Sequence, residues 1–182
     1  MHANKWVNLP LLLMIKVLIT GPESSGKSVL AEQLAKHYNS VMVEEYARTY
    51  LEGKTGYQES DLSQIALGQV RAEEEGRQKS SRFLFCDTGL EVIKIWSIEK
   101  YKRVDPIILE MLDQAKYDLI FLCKPNIPWQ PDPLRENPID RDRLFSLYVD
   151  HFESANLKVH IIDASIDLRV KQAIAYLDSS YN

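Results

Sequence analysis

Five short runs of apolar residues alternate with longer segments in which apolar residues recur every three or four positions. The runs lie at 15–20, 41–45, 83–87, 118–123 and 158–163, and each has the length of a strand. The segments with helical spacing lie at 28–38, 61–80, 90–101, 140–154 and 167–177, and Asp105 with Pro106 predicts the start of another helix. Near-continuous apolar strands that alternate with helices are typical of parallel sheets covered on both faces. We therefore predict a three-layer α/β fold with a five-stranded parallel sheet.

The alternation is interrupted by residues 124–138, here called the lid loop. Five of the eight prolines lie in it, at positions 125, 128, 131, 133 and 138, which predicts a long loop without regular structure. Arg135 and Arg141 lie in it or just after it. Such cations either close over a triphosphate or pair with nearby acidic residues at the surface. Trp129 either stacks on a base or anchors the loop to the body of the protein.

Length and charge restrict the class of protein. A chain of 182 residues suits one domain, which we place at residues 15–182 after an N-terminal extension over 1–14, with Met14 as a candidate start. With 26 acidic and 22 basic residues, the net charge of -4 argues against broad binding to nucleic acid or anionic membranes. We expect a small-molecule partner, and the sequence leaves the oligomeric state open.

The cysteines and the N-terminal apolar segment point to an ordinary cytoplasmic protein. Cys86 and Cys123 each end an apolar run, and we interpret them as buried free thiols in central strands. The apolar stretch at 9–20 is interrupted by Pro10 and Lys16 and is too short to span a bilayer. No group of histidines and cysteines has the spacing of a zinc site.

A glycine-rich segment at residues 21–28 matches the pattern Gly-x-x-x-x-Gly-Lys-Ser and lies between a predicted strand and a predicted helix. Its glycines let successive N–H groups point at phosphate oxygens, and the helix N-terminus adds partial positive charge. We expect Lys27 to bridge the β- and γ-phosphates and Ser28 to bind Mg²⁺. The pattern predicts binding of ATP or GTP. The residues expected at the nucleotide are Gly21, Glu23, Ser24, Ser25, Gly26, Lys27, Ser28 and Val29.

Acidic residues follow two other predicted strands. Asp87 ends the third strand, where parallel sheets bind ligands, so it could hold Mg²⁺ or accept a proton from an attacking hydroxyl. The structural alternative is a helix N-cap. Glu44 and Glu45 follow the second strand, with Tyr46 and Arg48 close behind. Either glutamate could bind a sugar hydroxyl or act as base, and the alternative is a solvated charge cluster.

Together these segments resemble the ribosylnicotinamide kinase domain of the NadR-type NAD-salvage proteins, over about residues 15–178. The resemblance rests on residues 21–28, 45–48 and 65–68, on Asp87 with Thr88, on Pro128 and Trp129 with Asp132 and Arg135, and on Asp140 with Arg141.

In that family ATP phosphorylates the 5′-hydroxyl of nicotinamide riboside. The resemblance implies that Asp87 lies beside the reacting centre and that Arg135 and Arg141 belong to the lid. It places Glu45, Tyr46 and Arg48 in the acceptor pocket. Glu44 stands where the family tends to carry an aromatic residue suited to stacking on the nicotinamide ring.

We therefore predict a P-loop kinase that uses ATP and Mg²⁺ to phosphorylate nicotinamide riboside. Lys27, Asp87, Glu45, Arg135 and Arg141 are the predicted catalytic residues, with either Asp87 or Glu45 as the base. One alternative is a kinase for another nucleoside or heterocyclic alcohol. The other alternative is a regulatory P-loop ATPase. It is disfavoured because Thr88 follows Asp87, where motor-type ATPases usually carry a glutamate that activates water. The Asn-Lys-x-Asp segment with which signalling GTPases bind guanine is absent from the sequence.

Overall fold

The computed structural model describes residues 14–132, 135 and 138–181. Of the predicted N-terminal extension, residues 1–13 lie outside this range. The strands are β1 (Ile15–Thr20), β2 (Val41–Val43), β3 (Phe83–Asp87), β4 (Leu119–Cys123) and β5 (His160–Ile162). The helices are α1 (Lys27–His37), α2 (Tyr46–Leu51), α3 (Glu59–Lys79), α4 (Leu90–Tyr101), α5 (Pro106–Gln114), α6 (Arg141–Ser154) and α7 (Arg169–Tyr181).

All five strands run parallel in the order β2-β3-β1-β4-β5, which confirms the predicted α/β fold. Successive residues of β1 face opposite sides of the sheet, as the two-residue period of a strand requires. Val17 and Ile19 pack in a core with α1 and α7, whereas Leu18 packs in a core with α4 and α6. Because helices cover both faces, β3 and β4 are buried along their whole length.

Several local predictions are confirmed. The Asp105 side chain accepts a hydrogen bond from the Ile107 amide at 3.0 Å and so caps α5, which begins at Pro106. Cys86 and Cys123 are free thiols, fully buried in the two strands that flank β1. Among the described helices, none combines the length and the apolar character that crossing a membrane would require.

The segment after β2 differs from the prediction. The strand ends at Val43 instead of residue 45, and α2 forms where no helix was predicted. With six residues, rich in tyrosine and threonine, α2 is too short to be stable alone. It is stabilised by burial of Ala47 and Leu51 in a core shared with α3 and α4. The outcome matters for the site because Glu45 directly precedes this helix.

Candidate active site

The glycine-rich segment forms a tight loop between β1 and α1. Gly21 has a φ of 138°, and a Cβ at this position would lie 2.5 Å from the Cys123 carbonyl oxygen of β4, so only glycine fits there. Gly26, with a φ of 78°, is the N-cap of α1 and offers no side chain to the helix N-terminus. The first N–H groups of α1 therefore remain available for an anion such as phosphate.

Lys27 and Ser28 begin α1 next to Asp87. The Lys27 Nζ donates a hydrogen bond to the Pro22 carbonyl oxygen at 2.9 Å, so the ammonium group lies across the loop. Asp87 ends β3 in register with Ile19 of β1 and is 2% exposed. Burial raises the pKa of Asp87, although the Lys27 charge and a hydrogen bond from the Ser28 hydroxyl partly oppose that rise.

The side chains of Ser28 and Asp87 fit a magnesium ion. Asp87 Oδ1 is buried and has no hydrogen-bond partner within the described residues, and the Ser28 hydroxyl lies beside this carboxylate. Hard oxygen ligands of this kind suit Mg²⁺, which proteins usually bind through one or two side chains together with substrate phosphates. Accordingly, the described part of the chain contains no cluster of three or more His, Cys, Asp or Glu residues able to hold a metal by itself.

A second charged group lies at the start of α2. Arg48 Nε is 3.1 Å from Glu45 Oε2, and Arg48 Nη1 is 3.0 Å from Asp132 Oδ2 in the lid loop. Burial raises the pKa of Glu45; the Lys27 charge lowers it and the Asp87 charge raises it. Because Lys27 and Asp87 both act on Glu45, the structure brings these three predicted residues into one electrostatic centre.

The lid loop is hydrogen-bonded to the glycine-rich loop of residues 21–28, here called the phosphate loop. The Gln130 amide donates to Ser24 Oγ at 3.0 Å, and Arg141 Nη1 donates to the Ser24 carbonyl at 3.1 Å and to the Ile127 carbonyl at 2.9 Å. The Trp129 ring lies 5.8 Å from the Arg141 guanidinium. Arg141 therefore ties the two loops together through backbone oxygens, a connection that the sequence does not predict.

Arg135, the other predicted lid arginine, contacts residues of the lid loop itself. Its Nη1 donates to the Gln130 carbonyl at 2.5 Å, and its Nη2 is 3.9 Å from Asp132 Oδ2. Asp132 thus faces both Arg48 and Arg135. It links the segment after β2 to the lid loop.

Sequence reasoning missed Arg169, the first residue of α7. It is 2% exposed and donates to the carbonyl oxygens of Ser25 at 2.5 Å, Lys124 at 2.7 Å and Ala164 at 3.1 Å, and to Asn126 Oδ1. It therefore joins the phosphate loop to the segments after β4 and β5. The sequence offers no signal for it, since an arginine at the start of a surface helix is unremarkable.

A cavity of about 1150 Å³ opens beside these groups. Arg48 and Asp132 belong to its polar wall, to which Glu52, Lys54, Glu99 and Lys100 also contribute, and Tyr57, Trp96 and Tyr148 supply aromatic surface. The Tyr57 and Trp96 rings are stacked, with centroids 5.8 Å apart and an interplanar angle of 25°. No motif marks these three aromatic residues in the sequence, because they come from the α2–α3 connection, α4 and α6, which only the fold brings together.

The remaining predicted residues have other surroundings. The Tyr46 ring lies against α3, where a Cβ on Gly68 would come within 1.9 Å of it. Glu44 and Val29 are exposed. Asp163 and Ala164, just after β5, are hydrogen-bonded through their carbonyl oxygens to Asn126 at 2.6 Å and Arg169 at 3.1 Å. The roles of Tyr46, Glu44 and Val29 in ligand binding stay predictions.

The strand order, the glycine-rich loop before α1 and the carboxylate at the end of β3 define a P-loop domain with a kinase-like fold. A family model for an AAA domain matches residues 16–169. The chain belongs to this family.

The chain is also similar to the trifunctional NAD biosynthesis/regulator protein NadR of Salmonella typhimurium and of Escherichia coli. It is 30% identical to each over 166 residues, which cover 87% of this chain and 40% of each relative. The chain thus spans about two-fifths of the length of these curated relatives.

Solved structures share the fold. A NadR protein in complex with NR superposes with a TM-score of 0.77 at 21% identity, covering 93% of this chain and 51% of that one. A NadR protein in complex with NAD and AMP-PNP gives 0.76 at 23% identity, covering 92% and 49%. Thymidylate kinase from Ehrlichia chaffeensis gives 0.67 at 15% identity, covering 91% and 98%.

Proposed function

We propose that this chain is an ATP- and Mg²⁺-dependent kinase that phosphorylates the 5′-hydroxyl of nicotinamide riboside. The observation that carries the proposal is the position of the electrostatic centre of Lys27, Glu45 and Asp87. It lies next to a cavity with aromatic walls, because Arg48 both contacts Glu45 and lines that cavity. A kinase needs a phosphate site, a carboxylate and an acceptor pocket that adjoin one another.

The relatives support the choice of acceptor. A NadR protein with this fold binds NR, that is nicotinamide riboside, and another binds the ATP analogue AMP-PNP together with NAD. The lining residues Trp96 and Tyr148 offer aromatic surface for a flat heterocyclic ring even though Glu44 is not aromatic. The Tyr57 ring is stacked on Trp96 and has Lys100 Nζ 3.6 Å from its centroid. Asp132 and Arg48 in the polar wall suit the hydroxyl groups of a ribose.

The proposed mechanism is in-line phosphoryl transfer. The phosphate loop and Lys27 hold the triphosphate. Ser28 and Asp87 would hold Mg²⁺, which would supply positive charge to balance that of the phosphates. The acceptor 5′-oxygen forms a bond to the γ-phosphorus while the bond from that phosphorus to the β–γ bridging oxygen breaks and ADP leaves. The hydroxyl proton passes to Asp87 or Glu45, and burial raises the pKa of Glu45, which brings it closer to the working pH as a base. Arg135 and Arg141 of the lid region stabilise the charge of the transferred group.

The test is ADP release from Mg-ATP by the purified protein, with and without nicotinamide riboside, beside a panel of other nucleosides and thiamine. Release that rises sharply with nicotinamide riboside, together with the phosphorylated product by mass, supports the proposal. Release stimulated by another compound instead would show a kinase with a different acceptor. Hydrolysis that no acceptor stimulates would favour a regulatory ATPase. The Lys27→Ala variant serves as the control for contaminating activity.

A further inference from the structure

Gln69 of α3 lies outside the predicted site but contacts two of its segments. It is 2% exposed, and its side-chain amide makes three hydrogen bonds, each to a different residue. Its Oε1 accepts from the Tyr46 amide at 2.9 Å. Its Nε2 donates to the Thr88 carbonyl at 3.3 Å and to Glu73 Oε1 at 3.2 Å. These partners define which way round the Gln69 amide lies. The Tyr46 N–H needs the amide oxygen as acceptor, and the Glu73 and Thr88 oxygens need the NH₂ group as donor.

The first of these contacts caps α2. Glu45 is the N-cap residue of this helix, but its side chain makes no capping hydrogen bond. Gln69 instead satisfies the Tyr46 N–H, one of the donors that a helix N-terminus leaves unpaired. A side chain from α3 therefore sets the start of α2, and with it the positions of Glu45 and Arg48.

The second contact holds the end of β3. Thr88 follows Asp87 and has a φ of 74°, a conformation that residues with a Cβ rarely adopt, so neighbouring contacts must maintain it. Its carbonyl accepts from Gln69, and its amide donates to the Ile19 carbonyl of β1 at 2.9 Å. One buried amide thus joins the segment of Asp87 to the segment of Glu45.

The third partner of Gln69, Glu73, is itself held by other residues. Glu73, 5% exposed, accepts from Gln69, from the Tyr117 hydroxyl at 3.0 and 3.2 Å, and from Lys16 Nζ at 2.6 Å. A buried network whose members are satisfied in this way is rigid, and a half-satisfied one is costly. Gln69 is therefore fixed by its hydrogen bond to Glu73, and it in turn holds the segments of Tyr46 and Thr88.

We infer that Gln69 is a positioning residue for phosphoryl transfer, which fixes the spacing between the carboxylates of Glu45 and Asp87 without touching either substrate. This inference rests on the proposed kinase function. Misplacing a reacting group by about 1 Å can cost on the order of 100-fold in rate. The effect should appear in the chemical step, because the three hydrogen bonds of Gln69 go to Tyr46, Glu73 and Thr88 and to no residue of the phosphate loop among those described.

The main variant is Gln69→Met, which keeps the length of the side chain and removes all three hydrogen bonds. With nicotinamide riboside as acceptor, kcat should fall by about 10- to 100-fold while the affinity for Mg-ATP changes by less than about twofold. Two matched controls apply. Gln78→Met makes the same change at an exposed position of α3, where the amide donates to Glu74, and should change nothing.

Tyr117→Phe is the second control, since it weakens the network at Glu73 without touching α2 or Thr88. It should lower the melting temperature and leave kcat within about twofold. A Tyr117→Phe enzyme that loses kcat as severely as Gln69→Met would show that the network has only a structural role. A Gln69→Met enzyme with unchanged kcat, or with an equal loss of Mg-ATP affinity, would also overturn the inference.

Amide hydrogen exchange on the unmodified protein keeps the test decisive if Gln69→Met does not fold. Because Gln69 Oε1 accepts from the Tyr46 amide, that amide should be protected from exchange. In the unmodified protein a Tyr46 amide that exchanges as fast as an exposed one would refute the capping contact. If the unmodified protein phosphorylates no acceptor, the proposed function fails, and the exchange measurement still decides whether Gln69 holds α2.

Discussion

The candidate site has two sides: a proposed nucleotide side around the phosphate loop and a proposed acceptor side around Glu45 and Arg48. Different kinds of contact hold the two sides in place. On the nucleotide side, Arg169 and Arg141 donate to backbone carbonyl oxygens of the phosphate loop and of the lid loop. On the acceptor side, the contacts are ion pairs between side chains, from Glu45 through Arg48 to Asp132, and the Arg48 side chain is 42% exposed.

The difference has a physical consequence. A buried guanidinium that donates to several fixed carbonyls can move only if those hydrogen bonds break, so the phosphate loop is preorganised. Partly exposed ion pairs contribute little net stability and can exchange one partner for another when a ligand enters. We therefore expect substitutions on the nucleotide side to affect folding and ATP binding, and those on the acceptor side to affect turnover and choice of acceptor.

Asp87→Asn should have the largest effect on turnover, because it removes both a magnesium ligand and a candidate base. We expect kcat to fall by about 1000-fold. Burial raises the pKa of Asp87 in the folded state, so ionisation of this carboxyl group opposes folding. The stability that protonated Asp87 contributes is therefore lost as pH rises through its folded pKa. The variant should thus keep or gain thermal stability at neutral pH, as differential scanning calorimetry can measure. Turnover near the unmodified level would remove Asp87 from the chemistry.

Lys27→Ala should come next, with a loss of about 100-fold or more in kcat and an intact fold. The reason is that the Lys27 ammonium group lies across the phosphate loop, where it donates to the Pro22 carbonyl and is placed to meet a phosphate. Steady-state kinetics with circular dichroism would measure both quantities. Lys36→Ala, at the exposed end of the same helix, is the control and should behave as the unmodified protein.

Arg169→Met tests the nucleotide side through stability. Loss of a buried guanidinium with four hydrogen-bond acceptors should lower the free energy of unfolding by about 2–4 kcal/mol and weaken ATP binding. Arg143→Met is the control, because Arg143 is 48% exposed and pairs only with Glu99 and Asp140 among the described residues. Urea unfolding should show less than about 1 kcal/mol for the control. Equal losses would contradict the distinction between the two sides.

Arg135→Ala tests the acceptor side. Arg135 contacts the Gln130 carbonyl and faces Asp132, so its loss should affect the position of these lid-loop residues more than the cavity itself. We expect kcat to fall by about tenfold with a smaller change in the KM for the acceptor. Initial rates at varied acceptor and saturating Mg-ATP would separate the two. An unchanged kcat would make the lid assignment wrong.

The pH dependence of kcat should show the smallest effect. The base must be ionised to accept a proton, and burial raises the pKa of Glu45, one of the two candidates. Activity should therefore fall, as pH is lowered, at a higher pH than the ordinary carboxyl range of about 4 would give. A profile in Asp87→Asn and Glu45→Gln, measured at saturating substrates, would show which carboxyl sets the midpoint. A midpoint at or below about 4 would rule out a base with a raised pKa.

The sequence predicted the nucleotide side far better than the acceptor side. The loop at residues 21–28 could be identified because its function depends on the backbone, which requires glycine at Gly21 and Gly26 wherever such a loop occurs. The cavity could not, because Tyr57, Trp96 and Tyr148 come from separate segments and follow no shared spacing. Helix α2 was missed for a similar reason, since α3 and α4 stabilise it and its own residues do not.

By itself the sequence determined the parallel α/β fold, the phosphate loop and the carboxylate at the end of β3. Each depends on local chemistry: the period of apolar residues, the freedom of glycine, and the position of a residue relative to its strand. Only the tertiary structure decided that Arg169 supports the phosphate loop, that Asp132 reaches Arg48, and that Gln69 joins α2 to β3. These contacts join residues from 19 to 144 positions apart, so their partners are defined by the packing of the helices on the sheet.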